Sequence, residues 1–178
     1  MPRLEGARVR LRGLDENDLG ALFALYSDPK VTRFWSHRAW HLESQAREYV
    51  ERAQRGFAER AFLQWGMALA DNDRVIGTVT LFGFVTPHRR CELGYALGSG
   101  DWGRGYAREA LALALDYAFG PLHLYRVEAD IDPRNTASIH LVERLGFRRE
   151  GLLRGRYHVG SEIQDSAIYG LLVSDWSR

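Results

Sequence analysis

The clearest periodic pattern of apolar residues lies in the second half of the chain. Between Ala107 and Ala118, apolar positions recur at intervals of three and four residues, which places them on one face of a helix. Gly120-Pro121 ends this pattern, as is typical of a helix C-terminus. The same spacing predicts three further helices: one capped by Asp15 or Asn17 and ending before Pro29, one over about Leu42–Arg60, and one over Thr136–Leu145.

Segments of alternating or continuous apolar character separate these helices and predict seven strands. They are Val9–Arg12, Phe62–Ala70, Val75–Phe84, Cys91–Leu97, Arg126–Ile131, Arg148–His158 and Ser166–Val173. The resulting order is β-α-α-β-β-β-α-β-α-β-β, with meandering strands first and strand–helix crossovers later. This order predicts an α/β (mixed α+β) fold, in which a mixed sheet carries helices on both faces.

Length and composition indicate one folded domain spanning residues 1–178. Of the 178 residues, 46% are hydrophobic and 26% are charged, which is close to globular averages and excludes a disordered or fibrous chain. The formal net charge is +1. Because dedicated nucleic-acid binders usually carry a strong basic excess, no nucleic-acid partner is expected.

The charged and apolar positions also bear on location. The longest apolar stretch, Leu111–Ala118, contains Asp116 and is shorter than the ~20 residues of a membrane span. Four arginines and one glutamate among the first twelve residues leave no secretory segment there. We therefore expect a cytoplasmic protein with no membrane partner. Cys91 is the single cysteine, so neither an intramolecular disulfide nor a cysteine-rich zinc site can form.

A glycine-rich turn lies between the strand Cys91–Leu97 and the strongest helix. Its sequence is Trp102-Gly103-Arg104-Gly105-Tyr106-Ala107-Arg108. Glycines allow close approach of a ligand, and the first turn of a helix presents unpaired N–H groups, so this segment favours binding of a diphosphate. The alternative is that the glycines only shape a loop. A dinucleotide-binding turn is excluded, because Arg108 occupies the position of the third glycine in that fingerprint.

A second segment, Asp132–Phe147, joins a predicted strand to a short helix. Asn135 can cap this helix, and Ser138 lies three residues later, near the same helix end, where its hydroxyl can point into a cleft. Gly146 ends the helix, and Phe147 is expected to be the next core residue. Capping alone would also explain Asn135.

Together the two segments resemble the GNAT superfamily of acyl-CoA-dependent N-acetyltransferases, whose diphosphate turn reads Q/R-x-x-G-x-G/A. An aromatic residue before the glycines is typical of the branch similar to the RimJ/RimL ribosomal-protein alanine acetyltransferases. The resemblance extends from about Val9 to Leu172. Its further motifs are Leu11-Arg12, Ser27-Asp28-Pro29-Lys30-Val31-Thr32, Glu92-Leu93-Gly94-Tyr95, Asn135-x-x-Ser138 and Glu143-Arg144-Leu145-Gly146-Phe147.

The resemblance implies a mostly antiparallel sheet of six to seven strands with a central, splayed parallel pair, and acetyl-CoA as the co-substrate. The residues implied to bind acetyl-CoA are Tyr95, Ala96, Leu97, Trp102, Gly103, Arg104, Gly105, Tyr106, Ala107, Arg108, Asn135 and Ser138. In this interpretation the glycine turn holds the diphosphate and the pantetheine arm pairs with the strand end at Tyr95–Leu97. No metal is expected, because among the six histidines only His37 and His41 have H-x-x-x-H spacing, with no carboxylate cluster nearby.

Acetyl transfer to an amine needs a base, because the amine is cationic at neutral pH, and an acid for the leaving thiolate. Glu92 and Asp130, on neighbouring strands, are the two candidate bases; the alternative for each is an ordinary surface charge. The resemblance implies Ser138 as the acid, since Val142 stands where some relatives have a tyrosine. Tyr157 stands where some have a glutamate base. Cys91 is expected to be an inert core residue rather than a nucleophile.

The acceptor is expected to contact Phe34, Trp35, Trp40 and Tyr157, although the first three can also be plain core residues. The predicted function is transfer of an acetyl group from acetyl-CoA to a primary amine, at a peptide or protein N-terminus or on a small molecule. The alternative is a non-catalytic acyl-CoA-binding regulatory domain. An acidic pocket would favour a polyamine, but acidic residues are not concentrated in Phe34–Glu59. A homodimer is compatible with the resemblance.

Overall fold

A computed structural model describes residues 1–177 as an eight-stranded sheet with helices on both faces. The strands, in chain order, are β1 (Leu4–Glu5), β2 (Val9–Arg12), β3 (Leu63–Leu69), β4 (Val75–Val85), β5 (Arg90–Leu97), β6 (Arg126–Ile131), β7 (Arg148–Val159) and β8 (Glu162–Leu172). Their order across the sheet is β1-β2-β3-β4-β5-β6-β8-β7. Every neighbouring pair is antiparallel except β5 and β6, which are parallel.

Five helices flank this sheet: α1 (Leu19–Ser27), α2 (Pro29–Thr32), α3 (Ser44–Ala58), α4 (Tyr106–Phe119) and α5 (Thr136–Arg144). Alternation along β3 shows how they divide between the faces. Trp65 and Met67 belong to the core under α4 and α5, whereas Ala68 belongs to the core under α1 and α3. The sheet is therefore the middle of three layers and separates two apolar cores.

The two parallel strands pair only at their beginnings. Their register runs from Arg90↔Arg126 to Glu92↔Glu128 and stops there, although β5 continues to Leu97 and β6 to Ile131. On its other side, β5 stays paired with β4 as far as Leu97. The end of β5 thus presents one edge of backbone groups to a gap in the sheet, as expected for a splayed pair.

The largest differences from the predicted elements lie near the chain's two ends. The two-residue strand β1 was not predicted, because it is too short to show alternation. Asp15 caps a short 3-10 turn, Glu16–Asp18, rather than the helix itself. Strand β8 begins at Glu162 instead of Ser166, because the hairpin pairing with β7 extends to Val159↔Glu162. No helix within residues 1–177 is long and apolar enough to cross a membrane.

Candidate active site

The glycine turn has the backbone conformation that only glycine adopts easily. Gly103 and Gly105 have φ angles of +75° and +79°, a left-handed region that side chains strain. Helix α4 begins directly afterwards at Tyr106, and no side chain within residues 1–177 caps its first turn. Its first N–H groups therefore remain available to an anion, and the positive end of the helix dipole favours one there.

Arg8, which lies directly before β2, forms hydrogen bonds that hold this turn in place. The sequence did not identify it as a site residue. Its Nη1 donates a hydrogen bond of 2.9 Å to the carbonyl oxygen of Arg104, and its Nε donates one of 2.9 Å to Oε2 of Glu109. The guanidinium carbon also lies 5.4 Å from the ring centroid of Tyr106. Nothing in the local sequence signals this contact, because the partners are about a hundred residues apart.

Trp102, another predicted cofactor residue, links the turn to the end of β5. Its Nε1 donates a hydrogen bond of 2.8 Å to the carbonyl oxygen of Leu97, while 49% of the residue stays exposed. Ala96 and Leu97 point their side chains into the two opposite cores. These two residues can therefore offer only backbone groups to a ligand. Arg108 is exposed at the start of α4.

A cavity of about 430 Å³ lies at the gap between β5 and β6. It brings together most of the predicted chemical side chains from four separate elements and a loop. They are Glu92 and Tyr95 of β5, Asp130 of β6, Asn135 and Ser138 at α5, Tyr157 of β7, and Phe34 and Trp35 from the loop after α2. The opening of the sheet and the candidate acid and base groups thus coincide in space.

Glu92 is a carboxylate without a fixed partner in this cavity. It makes no hydrogen bond or ion pair within residues 1–177. Burial raises its pKa above the ordinary value, and the nearby negative charges of Asp130 and Glu128 raise it further, whereas Arg90 and Arg156 oppose the shift. A partly desolvated carboxylate with free oxygens and a raised pKa is suited to proton transfer.

Asp130, the other candidate base, has both oxygens engaged. Tyr157 donates its hydroxyl proton to Oδ2 at 2.9 Å, and the hydroxyl of Ser166 donates to Oδ1. Nε of Arg156 lies 3.9 Å from Oδ2. Burial raises the pKa of Tyr157, and the hydrogen bond to Asp130 and its negative charge raise it further. Asp130 is therefore a fixed negative charge beside Glu92, and the Tyr157 hydroxyl is directed to it.

Ser138 and Tyr95 form a hydroxyl pair that lines the same cavity. Their oxygens lie 2.7 Å apart, and burial raises the pKa of Tyr95 to about 12. The backbone N–H of Ser138 donates a hydrogen bond of 3.2 Å to Oδ1 of Asn135. Asn135 thus caps α5 and positions Ser138. Because Oδ1 of Asn135 is used in the cap, its side-chain nitrogen Nδ2 is the group that can contact a ligand.

The predicted aromatic acceptor residues divide between two cavities. Phe34 and Trp35 line the cavity at the gap. Trp40 instead lines a neighbouring cavity of about 790 Å³, where its ring packs 4.6 Å from that of Tyr26. Its backbone N–H also donates to the Tyr26 carbonyl oxygen at 3.0 Å, so Trp40 is part of the packing between the loop and α1.

A buried polar wall, not found from the sequence, completes the cavity at the gap. The Tyr26 hydroxyl lies 2.6 Å from that of Tyr49 and 2.7 Å from Oγ1 of Thr78. Gln64, 6% exposed, donates from Nε2 to Tyr49 and Thr80, while its Oε1 has no partner within residues 1–177. The sequence signal that could have indicated this wall is the presence of polar residues between apolar neighbours on β3 and β4.

Neither a reactive cysteine nor a metal site contributes to this chemistry within residues 1–177. Cys91 is fully buried, and burial raises the pKa of its thiol to about 12, so a reactive thiolate is disfavoured. Within residues 1–177 no group of three or more His, Cys, Asp or Glu side chains is arranged to hold a metal ion.

Comparison with known proteins decides the family. A model of the acetyltransferase (GNAT) domain matches residues 8–148. The chain belongs to the GNAT acetyltransferase family. It is 33% identical to the N-acetyltransferase p20 of Bacillus licheniformis, itself uncharacterized, over 99% of both chains. This GNAT chain is therefore identified as an acetyl-CoA-dependent N-acetyltransferase.

Two further relatives bear on the acceptor and the fold. The chain is 27% identical to the spermidine N(1)-acetyltransferase of Escherichia coli strain K12, over 89% of this chain and 82% of that one. The structure of Mycobacterium smegmatis RimJ in complex with CoA-disulfide superposes with a TM-score of 0.87. It covers 99% of this chain and 88% of that one at 22% identity, a likeness of fold alone.

Proposed function

We propose that this GNAT enzyme transfers an acetyl group to a primary amine by direct attack, with Glu92 as the general base and Ser138 as the general acid. The observation that carries the proposal is the cavity at the gap between β5 and β6. There a carboxylate without a partner and a paired serine–tyrosine hydroxyl open onto one space. We also propose that residues 1–178 act as one catalytic domain, since β1 and β8 belong to the same sheet.

The local geometry fits acetyl-CoA, which supplies an activated acetyl thioester when bound. The uncapped first turn of α4 and the left-handed glycines at 103 and 105 suit the diphosphate. The backbone N–H groups of this turn would hold its oxygens. The unpaired edge of β5, ending at Tyr95–Leu97, would pair with the pantetheine amides as a substitute strand. Trp102, Arg104, Tyr106 and Arg108 surround this path.

Glu92 acts first in the proposed mechanism. It accepts a proton from the acceptor's ammonium group, directly or through water, and leaves a neutral amine able to attack the carbonyl carbon. Its raised pKa helps, because a base is most effective when its pKa lies nearer the operating pH. Asp130, with both oxygens engaged, contributes by keeping that pKa high and by holding Tyr157.

Ser138 completes the transfer by donating its hydroxyl proton to the departing sulfur. Tyr95 can donate its own proton to Ser138 Oγ across the 2.7 Å contact as this happens. As the amide forms, the attacking nitrogen loses its second proton, which passes through water to the phenolate left on Tyr95 and restores its hydroxyl. The chain thus supplies the acid through two hydroxyls, in a place where Val142 is apolar and buried.

For the acceptor we propose a primary amine that enters past Phe34, Trp35 and Tyr157, either a peptide N-terminus or a small amine. The motif resemblance to the RimJ/RimL branch supports the first class, and the similarity to the spermidine acetyltransferase of E. coli, at 27% identity, supports the second. The cavity at the gap is acidic, with Glu92, Asp130, Asp132 and Asp165 in its wall. These residues come from β5, β6, the segment after β6, and β8, which is why the acidity was not visible in Phe34–Glu59.

The test is release of free thiol from acetyl-CoA in the presence of N-terminal peptides, polyamines and aminoglycosides. Wild-type enzyme should release thiol with at least one class, and Glu92→Gln should lower kcat/KM about 100-fold while still binding coenzyme A. Glu59→Gln, an exposed carboxylate at the end of α3, is the matched control. Full activity in Glu92→Gln would reject the base assignment.

A further inference from the structure

The cavity at the gap adjoins a second, larger cavity between α3 and the loop that precedes it. This second cavity has a volume of about 790 Å³. Four side chains line both spaces: Tyr26, His37, Tyr49 and Arg52. These four residues form the border between the two spaces, so the second cavity lies next to the place where an acceptor amine would meet Glu92.

The charged side chains that line the two adjoining cavities differ in their predominant sign. Among residues 1–177, four acidic side chains line the cavity at the gap, and Arg52 is the single arginine in its lining. The second cavity instead carries three arginines, Arg38, Arg52 and Arg55, against Glu48 and Glu51. The two histidines that line it, His37 and His41, add no negative charge. The amine end is thus acidic and the far end is basic.

The three arginines form no direct ion pair with a carboxylate of the described residues. No carboxylate oxygen within residues 1–177 lies within 4.0 Å of a nitrogen of Arg38, Arg52 or Arg55. Arg52 is held with its guanidinium carbon 5.2 Å from the ring centroid of Tyr49, at the junction of the two cavities. Arg47, on the same helix but outside both cavities, does pair with a carboxylate, at 2.9 Å from Oε1 of Glu16.

From this arrangement we infer that the second cavity binds an anionic group of the acceptor. The preferred acceptor is a primary amine that carries a carboxylate or another oxyanion several bonds away, such as a peptide with an acidic residue near its N-terminus. This inference rests on the proposed function, because it takes the cavity at the gap as the place where the amine reacts.

The physical basis is the chemistry of arginine. A guanidinium group binds a carboxylate through two parallel hydrogen bonds, and a cation without a partner gains most from such a ligand. Glu48 and Glu51 lie four residues before Arg52 and Arg55, yet they form no ion pair with them. A carboxylate ligand can therefore bind without breaking an existing salt bridge, whereas a polycation would be repelled from this end.

The experiment compares peptides that differ only in one charge. Ala-Ala-Glu-Ala, Ala-Ala-Gln-Ala and Ala-Ala-Lys-Ala amides, with the variable residue also moved to positions two and four, are used as acceptors alongside spermidine. We expect the best glutamate peptide to have a KM about three- to tenfold lower than its glutamine counterpart, as for one or two exposed ion pairs. The lysine peptide should be the poorest, with kcat similar throughout.

Variants of α3 assign the effect to the cavity. Arg52→Gln and Arg55→Gln should remove most of the preference for glutamate, whereas Glu51→Gln should increase it. Arg47→Gln makes the same substitution on the same helix outside the cavity, and it should leave the preference unchanged. Equal KM values for the three peptides in wild-type enzyme, or a preference that persists in the arginine variants, would overturn the inference.

A binding measurement separates this inference from the proposed function. N-acetylated Ala-Ala-Glu-Ala amide cannot be acetylated again, and its affinity for the enzyme with coenzyme A is measured by calorimetry against the glutamine analogue. If no amine releases thiol but the glutamate peptide binds more tightly, the proposed function fails and the anion site stands. If peptides are acetylated without charge preference and bind equally, the anion site is rejected alone.

Discussion

The hydroxyl oxygen of Tyr95 lies 2.7 Å from Oγ of Ser138, a contact between side chains 43 residues apart in the sequence. Tyr95 comes from β5 and Ser138 from the first turn of α5, so the hydrogen bond joins the end of β5 to the helix that follows β6. A serine alone is a poor acid for a thiolate. With the tyrosine behind it, the donated proton can be replaced at once.

Removal of the tyrosine hydroxyl tests this relay. Tyr95→Phe should lower kcat about tenfold, less than the loss expected for direct acid catalysis, and should change the KM for acetyl-CoA little. The loss should shrink with an acetyl donor whose thiol is more acidic, because such a leaving group needs less protonation. An unchanged kcat, or a loss independent of the leaving group, would show that Tyr95 only positions Ser138.

The pH dependence of the reaction should report the charge of Asp130. Glu92 must be deprotonated to act as the base, so kcat/KM should rise with pH through its raised pKa. Asp130→Asn removes a negative charge that raises this pKa, and the rise should therefore move to lower pH. The acceptor's own titration is the same for both enzymes, so the difference between the two profiles isolates Glu92.

Asp165→Asn serves as the comparison for that pH profile. Asp165 lines the same cavity, and its Oδ1 accepts a hydrogen bond of 2.8 Å from the backbone of Gly155. It is not among the groups that shift the pKa of Glu92. In this variant, the rise of kcat/KM with pH (the acid limb of the profile) should occur at the same pH as in the wild type. An equal shift in both variants would mean that the limb does not report the interaction of Glu92 with Asp130.

Coenzyme A binding should depend on the second glycine of the turn. A side chain at Gly105 would force a φ of +79° on a residue that resists it and would place Cβ 3.2 Å from Nη2 of Arg8. Gly105→Val should weaken coenzyme A binding at least tenfold, since a backbone strain of ~1–2 kcal/mol adds to the steric conflict. Isothermal calorimetry with coenzyme A measures this directly.

The control for that variant is Gly100→Ala, a few residues earlier. A Cβ at Gly100 would meet no atom within 4 Å, and its φ lies outside the left-handed region. Its affinity for coenzyme A should match the wild type. If Gly105→Val also bound normally, the diphosphate would have to be held elsewhere.

Two helical glycines should respond to alanine in opposite directions. A Cβ at Gly56 of α3 would lie 2.3 Å from the ring of Phe62, whereas one at Gly20 of α1 would meet nothing within 4 Å. Gly56→Ala should lower the free energy of unfolding by about 1–3 kcal/mol through overpacking. Gly20→Ala should raise it by about 0.5–1 kcal/mol through helix propensity. Thermal and urea unfolding distinguish the two, and stabilisation by Gly56→Ala would contradict the described packing.

Local pattern was sufficient for much of the fold and for part of the site. The helix α4, its end at Gly120, and the strand Arg126–Ile131 follow from residues that are neighbours in the sequence. The glycine turn could be recognised for the same reason, because positive φ angles and an uncapped helix start are properties of one short segment. Motif resemblance then supplied Glu92, Asn135 and Ser138 as candidates.

The remaining chemistry depends on distances across the sheet. Arg8 at the glycine turn, the engaged oxygens of Asp130, the Tyr95–Ser138 pair and the basic second cavity all join residues from separate elements. Their proximity follows from strand order and register, in which one residue of slippage would turn each side chain to the other face. Sequence neighbours therefore specified which elements form and where an anion can bind. Only the tertiary structure decided which groups share a cavity and which carboxylate stays free to take a proton. Both depend on the pairing of β5 with β6 at their beginnings and on their separation beyond Glu92 and Glu128.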